Sequence, residues 1–303
     1  MAGGVIGGLE IAPRVAGALE EGRPVVALET SVLAQGLPAP ANAEAADRMS
    51  SAVRGRGAEP AWTWVDGGRL RVGASEQDLG RLLESEAAKV ARRDLPMALA
   101  RGGLGATTVS ATLWIARRSG IEVSATGGVG GVHPGSTDVS ADLLELAESR
   151  GALICSGPKS ILDPVATLER LEELGVGLLG YRTDRLPHFV VRETALILEH
   201  RVDDPASVAG VITAQRELGT PSTIVVCNPC PLDAALDAET VEGAVAACAE
   251  DATRDGIHGK DITPFLLRCL AERTDGRSLR ANLSLLEANA GLAAEVASEL
   301  PGM

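Results

Sequence analysis

Short apolar runs alternate with longer segments of helical periodicity along most of the chain. The apolar runs are rich in Val, Ile, Leu and Ala and predict buried strands. These runs are residues 24–29, 121–125, 152–155, 177–181 and 223–227. Strands that alternate with helices indicate a mostly parallel central sheet with helices on both faces. The pattern therefore predicts an α/β fold with three layers, α/β/α, and a helical C-terminal region, as a single domain over residues 1–303.

Local signals refine this prediction. Gly67 and Gly68 predict a hairpin turn between two strands, and Ser75 predicts the start of a helix with acidic residues in its first turn. Residues 189–192 are interpreted as a further short strand. From residue 237 onward, three helices are predicted, with breaks at two glycine-containing turns.

Composition narrows the fold class and the partners. Hydrophobic residues make up 45% of the 303 residues but aromatic residues only 2%, so the core is predicted to be aliphatic, as suits parallel strands covered by helices. The net charge of −13 argues against nucleic acid or anionic membranes as partners. No run of 18 apolar residues and no secretory segment is apparent, so neither a membrane span nor export is expected.

The five cysteines are Cys155, Cys227, Cys230, Cys248 and Cys269. Their odd number favours a reducing, cytoplasmic compartment. Cys227 and Cys230 have the Cys-x-x-Cys spacing of a thioredoxin-like redox site, but such a site lies at the start of a helix in a much smaller fold. A zinc site would need a second pair of cysteines, which the chain lacks. Cys227 and Cys230 are interpreted as two buried thiols.

Lys159 is the first candidate for chemistry, because it follows the apolar run 152–155 and a Gly-Pro turn. Burial disfavours an ammonium, and a neutral lysine amine is a nucleophile for carbonyl carbons. A nucleotide-binding phosphate loop is excluded, because Pro158 stands where that motif has glycine. The alternative is a surface lysine that caps a helix.

Glu29 is the second candidate, because it ends the apolar run 24–29. A carboxyl group there can act as a general acid, since burial raises its pKa. The alternative is a residue that only caps the next element. Ligands of parallel sheets bind beyond the carboxyl ends of the strands, which is where both Glu29 and Lys159 are predicted to lie.

The segment 127–142 supplies glycines, hydroxyls and carboxylates. Its glycine loop, 127–131, suits either a phosphate or a simple tight turn, and it lacks the dinucleotide-binding spacing. Asp138 is a candidate ligand for Mg²⁺ or Mn²⁺, or only a helix N-cap. Lys89, in the basic patch 89–93, is either a phosphate clamp or part of a solvated helix face.

Taken together and in this order, the motifs resemble the pseudouridine-5′-phosphate glycosidases, also called the indigoidine synthase A-like family. The segments that carry the resemblance span nearly the whole chain. They are 27–31, 91–96, 105–109, 125–133, 138–143, 157–163, 180–183, 228–229 and 259–267.

The resemblance implies the reversible conversion of pseudouridine 5′-phosphate and water to uracil and ribose 5-phosphate. It implies Lys159 as the nucleophile, through an iminium intermediate, Glu29 as the proton donor and Asp138 as the Mn²⁺ ligand. It also implies a homotrimer with small-molecule partners. The substrate-binding positions that it implies are Lys89, Val109, Ser140, Ala141 and Asp142.

The chain departs from the family pattern at Gln35, where a His is frequent, and at Pro134, where a basic residue is frequent. Two other interpretations stay open: a lysine-dependent aldolase or other lyase that acts on a sugar phosphate, and a regulatory protein that binds a small molecule without turnover. Release of uracil from pseudouridine 5′-phosphate distinguishes the glycosidase from the aldolase or lyase, and an assay for turnover tests the regulatory interpretation.

Overall fold

Eleven strands form one sheet in the computed structural model, which describes residues 8–135 and 138–300. The strands are β1 (Leu9–Ile11), β2 (Val25–Glu29), β3 (Glu59–Asp66), β4 (Arg69–Val72), β5 (Ala88–Val90), β6 (Gly105–Thr107), β7 (Val123–Ala125), β8 (Gly151–Cys155), β9 (Leu178–Tyr181), β10 (Arg201–Val202) and β11 (Thr223–Cys227). The helices are α1 (Pro13–Glu20), α2 (Ala41–Arg54), α3 (Glu76–Glu84), α4 (Leu95–Arg101), α5 (Val109–Arg118), α6 (Ala141–Glu148), α7 (Pro164–Glu173), α8 (Pro205–Leu218), α9 (Ala238–Arg254), α10 (Ile262–Arg273) and α11 (Arg277–Glu299).

The sheet is mostly parallel, as predicted. Its order is β1-β4-β3-β2-β7-β8-β11-β9-β10, and β6 adds to it by pairing with both β3 and β5. Of these pairings, β3 with β4 and β3 with β6 are antiparallel, while the central strands β2, β7, β8 and β11 run in one direction.

Helices cover both faces of the sheet, which confirms the three-layer prediction. Val26 and Leu28 of β2 pack in the core formed with α2, α8 and α11. Val25 and Ala27, which point the opposite way because side chains alternate along a strand, pack with α1 and α5. On the same side, the β8 residue Leu153 packs with α6 and α7.

Most local predictions match the structure. The turn at Gly67 and Gly68 joins β3 to β4, and Ser75 caps α3 in a reciprocal capping box with Asp78. The C-terminal region forms the three predicted helices α9, α10 and α11. No helix within the described ranges is both long and apolar enough to cross a membrane. The single-domain boundary stays a prediction.

One local prediction is wrong, and one open alternative is excluded. Residues 189–192 do not form a strand. Val191 makes only isolated bridges, to His188 and Leu236, and Phe189, Val190 and Val191 are buried in the main core, the one formed with α2, α8 and α11. The helical alternative for Lys89 is excluded, because Lys89 lies on β5.

The cysteines fall into two groups. Cys155, Cys227 and Cys230 are free and buried, which confirms the interpretation of the Cys227–Cys230 spacing as two buried thiols. Cys248 of α9 and Cys269 of α10 form a disulfide. This bond was not predicted, because a reducing compartment disfavours it.

The turn after β8 depends on a glycine. Gly157 has φ of 74°, and a Cβ there would lie 2.0 Å from the carbonyl oxygen of Pro187. Its own carbonyl oxygen accepts the N–H of Val129 at 3.0 Å. A side chain would therefore strain the backbone and displace the segment that leads into Lys159.

We expect Gly157→Ala to lower the free energy of unfolding by about 1–3 kcal/mol, because the residue is held at positive φ against backbone. Gly210→Ala is the matched control, since this glycine lies in α8 with nothing within 4 Å of the added Cβ. It should raise stability by about 0.5–1 kcal/mol. Urea unfolding of both variants checks this, and equal stabilities would contradict the role given to Gly157.

Candidate active site

Three adjacent strands end at the same edge of the sheet and bring the candidate residues together. β7 pairs in parallel with β2 on one side and with β8 on the other. Glu29 ends β2, the loop 126–131 follows β7, and Lys159 lies four residues after β8. Since parallel strands share the direction of their carboxyl ends, these segments surround one cavity of about 270 Å³.

Every predicted site residue lines this cavity. These residues are Glu29, Lys89, Val109, Asp138, Ser140, Ala141, Asp142 and Lys159. Segments far apart in sequence therefore meet as predicted, although their positions alone do not assign their roles.

Glu29 is a buried carboxyl group, 4% exposed. The hydroxyl of Ser31 donates to its Oε2 at 2.7 Å, and the hydroxyl of Thr126 donates to its Oε1. Burial raises the pKa of Glu29 above its usual value, against the opposing effects of the Lys159 charge and the two hydroxyl hydrogen bonds. A carboxyl group with a raised pKa is suited to hold and deliver a proton.

The backbone fixes the loop that carries Lys159. The N–H of Lys159 donates to the carbonyl oxygen of Val129 at 3.1 Å. The Nε2 of His188 lies 3.2 Å from the carbonyl oxygens of both Lys159 and Leu162. Burial lowers the pKa of His188, and an N–H at Nε2 can be shared between the two carbonyl oxygens.

Two further lysines lie at the same cavity. The pKa of Lys89 is lowered, first by burial and then by the nearby charge of Lys159, against the attraction of Asp142 and Glu29. The Nζ of Lys260 lies 2.9 Å from Oδ2 of Asp94 and donates to the carbonyl oxygen of Lys89 at 3.4 Å.

These three are the lysines of the entire chain, which holds 28 lysines and arginines together. Every other basic residue counted there is an arginine, so lysine occurs only where it lines the cavity. The rarity of lysine in the sequence could have identified Lys260 as a site residue, which the motifs alone did not. Unlike arginine, lysine can lose its proton in a desolvated site.

Asp142 holds the glycine loop in place. Its Oδ1 accepts the N–H of Ser110 at 2.9 Å and its Oδ2 accepts the N–H of Gly130 at 3.1 Å, so the carboxylate joins α5 to the loop. A Cβ on Gly130 would lie 2.1 Å from Oγ of Ser140. Any larger residue at this position would therefore collide with Ser140.

The other residues predicted to bind substrate, Ser140, Ala141 and Val109, differ in which of their atoms could contact a ligand. The hydroxyl of Ser140 accepts the N–H of Asp142 at 3.2 Å as the N-cap of α6, and Ala141 is the first residue of that helix. The side chain of Val109 packs in the core at 2% exposure. At Val109, therefore, the backbone rather than the side chain is suited to contact a polar ligand.

Asp138 and His133 lie on one wall of the cavity. Asp138 is exposed, and its carbonyl oxygen accepts the N–H of His133 at 3.1 Å. No group of three or more His, Cys, Asp or Glu side chains suited to a metal occurs among residues 8–135 and 138–300. A metal at Asp138 would therefore resemble the Mg²⁺ or Mn²⁺ sites in which one carboxylate is completed by water and substrate oxygens.

Two side-chain oxygens on the cavity wall have no hydrogen-bond partner in the described part of the chain: Oδ1 of Asn282 and Oε1 of Gln35. Asn282 lies on α11 and is 6% exposed. The amide nitrogen of Gln35 donates to the carbonyl oxygen of Ala87 at 2.8 Å, and Oε1 of the same amide takes no part in that hydrogen bond. A buried acceptor without a donor is costly, so both oxygens are suited to a ligand N–H.

The match to a family model decides the chain's family. Residues 14–299 match the model described as indigoidine synthase A like protein. The chain belongs to the indigoidine synthase A-like family. The family predicted from the motifs is thereby confirmed.

Relatives in this family are similar over nearly their full length. The chain is 43% identical over 296 residues to the pseudouridine-5′-phosphate glycosidase of Caldanaerobacter subterraneus subsp. tengcongensis, covering 96% of each chain. It is 48% identical over 285 residues to the pseudouridine-5′-phosphate glycosidase of Gemmatimonas aurantiaca, covering 93% of each.

Solved structures of two similar proteins share the fold. One is an indigoidine synthase A-like protein from Thermotoga maritima, with a TM-score of 0.89 and 39% identity over 96% of each chain. The other is the prealnumycin C-glycosynthase AlnA in complex with ribulose 5-phosphate, also with a TM-score of 0.89 and 39% identity, over 97% of each chain.

The raised pKa of Glu29 makes the stability of this indigoidine synthase A-like chain depend on pH. Below the ordinary carboxyl pKa of 4.5, Glu29 is protonated in both the folded and the unfolded chain. As the pH rises from there toward the folded-state pKa, the unfolded chain releases this proton while the folded chain keeps it, so folded-state stability is lost.

We therefore expect the stability of Glu29→Gln relative to the wild type to increase as the pH rises above 4.5, and to level off above the folded-state pKa. The rise should be about 1.4 kcal/mol for each unit by which the pKa is raised. Urea unfolding between acidic and mildly alkaline pH measures it. Glu193→Gln, at an exposed position, controls for the loss of one carboxylate, and a difference between Glu29→Gln and wild type that does not change with pH would contradict the prediction.

Proposed function

We propose that this family member cleaves the carbon–carbon glycosidic bond of pseudouridine 5′-phosphate with water, giving uracil and ribose 5-phosphate, and also catalyses the reverse reaction. One observation carries the proposal: a buried carboxyl group and a lysine line one cavity in a chain 43% and 48% identical to proteins named for this activity. The ribulose 5-phosphate bound by the similar C-glycosynthase supports a sugar-phosphate ligand.

Glu29 supplies the proton that opens the sugar ring. A carbon-linked uracil is a poor leaving group, so the paired-carboxylate chemistry of ordinary glycosidases is unsuitable. Protonation of the ribose ring oxygen by Glu29 lets the bond from that oxygen to C1′ break, with electrons supplied by the uracil ring. The raised pKa of Glu29 favours the protonated form that this step needs.

Lys159 then forms the covalent intermediate. Its amine adds to C1′ through the nitrogen lone pair, and cleavage of the bond between C1′ and C5 of uracil leaves an iminium on the lysine. Carbon C5 takes up a proton, which gives uracil. Water hydrolyses the iminium and releases ribose 5-phosphate with the free amine, so one water is consumed overall.

Two lysines and a helix N-terminus are suited to anchor the phosphate. Lys89 and Lys260 both line the cavity, and the N–H groups at the start of α5, near Val109, face an anion favourably. Holding the phosphate positions C1′ near the amine, where proximity contributes several powers of ten to the rate. The unpartnered oxygens of Asn282 and Gln35 are suited to accept the N–H groups of uracil.

Asp138 is the residue that would hold Mn²⁺, with water and substrate oxygens as the other ligands. The bound ion would supply positive charge that organises waters and supports protonation of the uracil. The family resemblance also leads us to propose a homotrimer in the cytoplasm, which sedimentation of the purified protein and fractionation of the source cells test.

We expect borohydride reduction in the presence of ribose 5-phosphate to attach the sugar to the peptide that contains Lys159. Because the chain has three lysines, mass spectrometry assigns the adduct without ambiguity. Lys159→Ala should show no adduct, and its uracil release should fall by at least about 10³-fold, as for loss of a covalent nucleophile.

Lys260→Ala is the matched control for that experiment. It removes a lysine from the same cavity but should keep the adduct at Lys159 while weakening sugar-phosphate binding. An adduct on Lys89 or Lys260 would reject the assignment of Lys159. A sugar adduct without uracil release would instead favour a lysine-dependent aldolase.

We expect a chelator to lower uracil release and Mn²⁺ to restore it. Asp138→Asn should lose this response and should bind Mn²⁺ more weakly, by roughly 10-fold or more, since a carboxylate ligand is removed. Calorimetric titration with Mn²⁺ measures binding independently of turnover. Equal Mn²⁺ affinity in the variant and the wild type would show that Asp138 is only a structural cap.

A further inference from the structure

The disulfide between Cys248 and Cys269 lies next to the candidate active site. It joins α9 to α10 across 21 residues of sequence. The two cysteines belong to a small buried cluster, which we call the hairpin cluster. Its members are Ile161, Leu162, Cys248, Ala252, Leu266 and Cys269.

The hairpin cluster connects the disulfide to the nucleophile loop. Ile161 and Leu162 follow Lys159 directly and line the cavity. The N–H of Leu162 donates to the carbonyl oxygen of Lys159 at 2.9 Å. Because α9 and α10 pack against Ile161 and Leu162 in this cluster, movement of these helices acts on the loop that carries Lys159.

The same helix pair forms one wall of the cavity. The connection between α9 and α10 carries Lys260, and the first turns of α10 supply Ile262, Thr263, Pro264 and Leu267 to the cavity. On this connection, Lys260 reaches across to Asp94. That ion pair is half exposed, and such pairs hold elements together only weakly.

Helices α9 and α10 are attached to the hairpin cluster and, through Val241 and Leu270, to the main core. Each of the two helices buries only three residues, whereas α11 buries thirteen. Elements with few buried apolar contacts open locally at low cost. A covalent bond between the two helices therefore has a large effect on how firmly they cover the cavity.

We propose that Cys248 and Cys269 are a reversible thiol–disulfide modification site that controls how firmly α9 and α10 close the cavity over Lys159. The oxidised pair holds the two helices together and favours sugar-phosphate binding. The reduced pair releases them and weakens that binding. The closing of α9 and α10 over the cavity does not depend on which reaction takes place there. Its effect on substrate affinity rests on the proposed function.

The exchange needs a low-molecular-weight disulfide as oxidant. Cys269, the more exposed of the two at 8%, attacks one sulfur of that disulfide as the thiolate and releases one small thiol. Cys248 then attacks the mixed disulfide and releases the second small thiol. Two protein thiols are thereby oxidised to one disulfide, and one small disulfide is reduced to two thiols.

The test compares the full-length protein equilibrated with oxidised glutathione and with dithiothreitol. Thiol titration after denaturation should find three thiols in the oxidised protein and five in the reduced protein, since Cys155, Cys227 and Cys230 are free. Hydrogen exchange of residues 255–267 should be faster in the reduced protein. The KM for pseudouridine 5′-phosphate should rise by roughly fivefold or more on reduction, at the lower end of couplings between sites.

The Cys248→Ala/Cys269→Ala double variant should behave as the reduced protein under both conditions. Cys230→Ala is the matched control, because it removes a buried cysteine outside the hairpin cluster and should keep the redox response. Five thiols in the oxidised protein, equal hydrogen exchange in the two states, or a redox response in the double variant would each overturn the proposal. Absence of uracil release in both states would reject the proposed function. The thiol titration and the hydrogen-exchange measurements would still decide whether Cys248 and Cys269 form the proposed thiol–disulfide site.

Discussion

The constraint on which the site depends is the burial of the Glu29 carboxyl group beside Lys159. A buried carboxyl group resists ionisation, and the nearby amine opposes that effect. The charge of Lys159 therefore lowers the cost of ionising Glu29. The carboxyl group that we propose as the acid thus depends on the lysine that we propose as the nucleophile, which the sheet brings to it from a different strand.

The sheet makes this burial possible. Three adjacent parallel strands end at the same edge, so that β2 supplies the carboxyl group, β7 the loop beneath it and β8 the segment that leads to the lysine. The hydroxyl of Thr126, directly after β7, donates to Glu29. Asn289 of α11 donates to the carbonyl oxygen of Thr126 at 2.9 Å and to the hydroxyl of Ser156 at 3.1 Å, which links the β7 and β8 loops through a single buried amide.

Much of this arrangement could be predicted from the sequence. Glu29, the glycine loop and Lys159 all follow apolar runs, and the rule for ligands of parallel sheets places them together. Lys260 and Asn282 could not be placed by the same reasoning, because helices that pack over the sheet from distant sequence positions bring them to the cavity. Local periodicity carries no information about such packing.

The predictions that failed have a related cause. Phe189, Val190 and Val191 are apolar because they are buried in the main core and not because they extend a sheet. Lys89 lies on a strand of three residues, which is too short to show an alternating pattern. The disulfide joins two helices whose packing against each other is a tertiary property, so cysteine counting alone could not reveal it.

The cavity is consequently built from two kinds of wall. The sheet edge is fixed by backbone hydrogen bonds to Asp142, Lys159 and Val129, and it holds the groups that we propose to carry out the chemistry. The wall formed by α9 and α10 is attached through the hairpin cluster, through Val241 and Leu270 in the main core, and through a half-exposed ion pair. Rigid positioning of reacting groups raises the rate, while substrate entry requires some wall to yield. The hairpin cluster joins the two walls at Ile161 and Leu162, so opening of the helical wall also acts on the loop that carries Lys159.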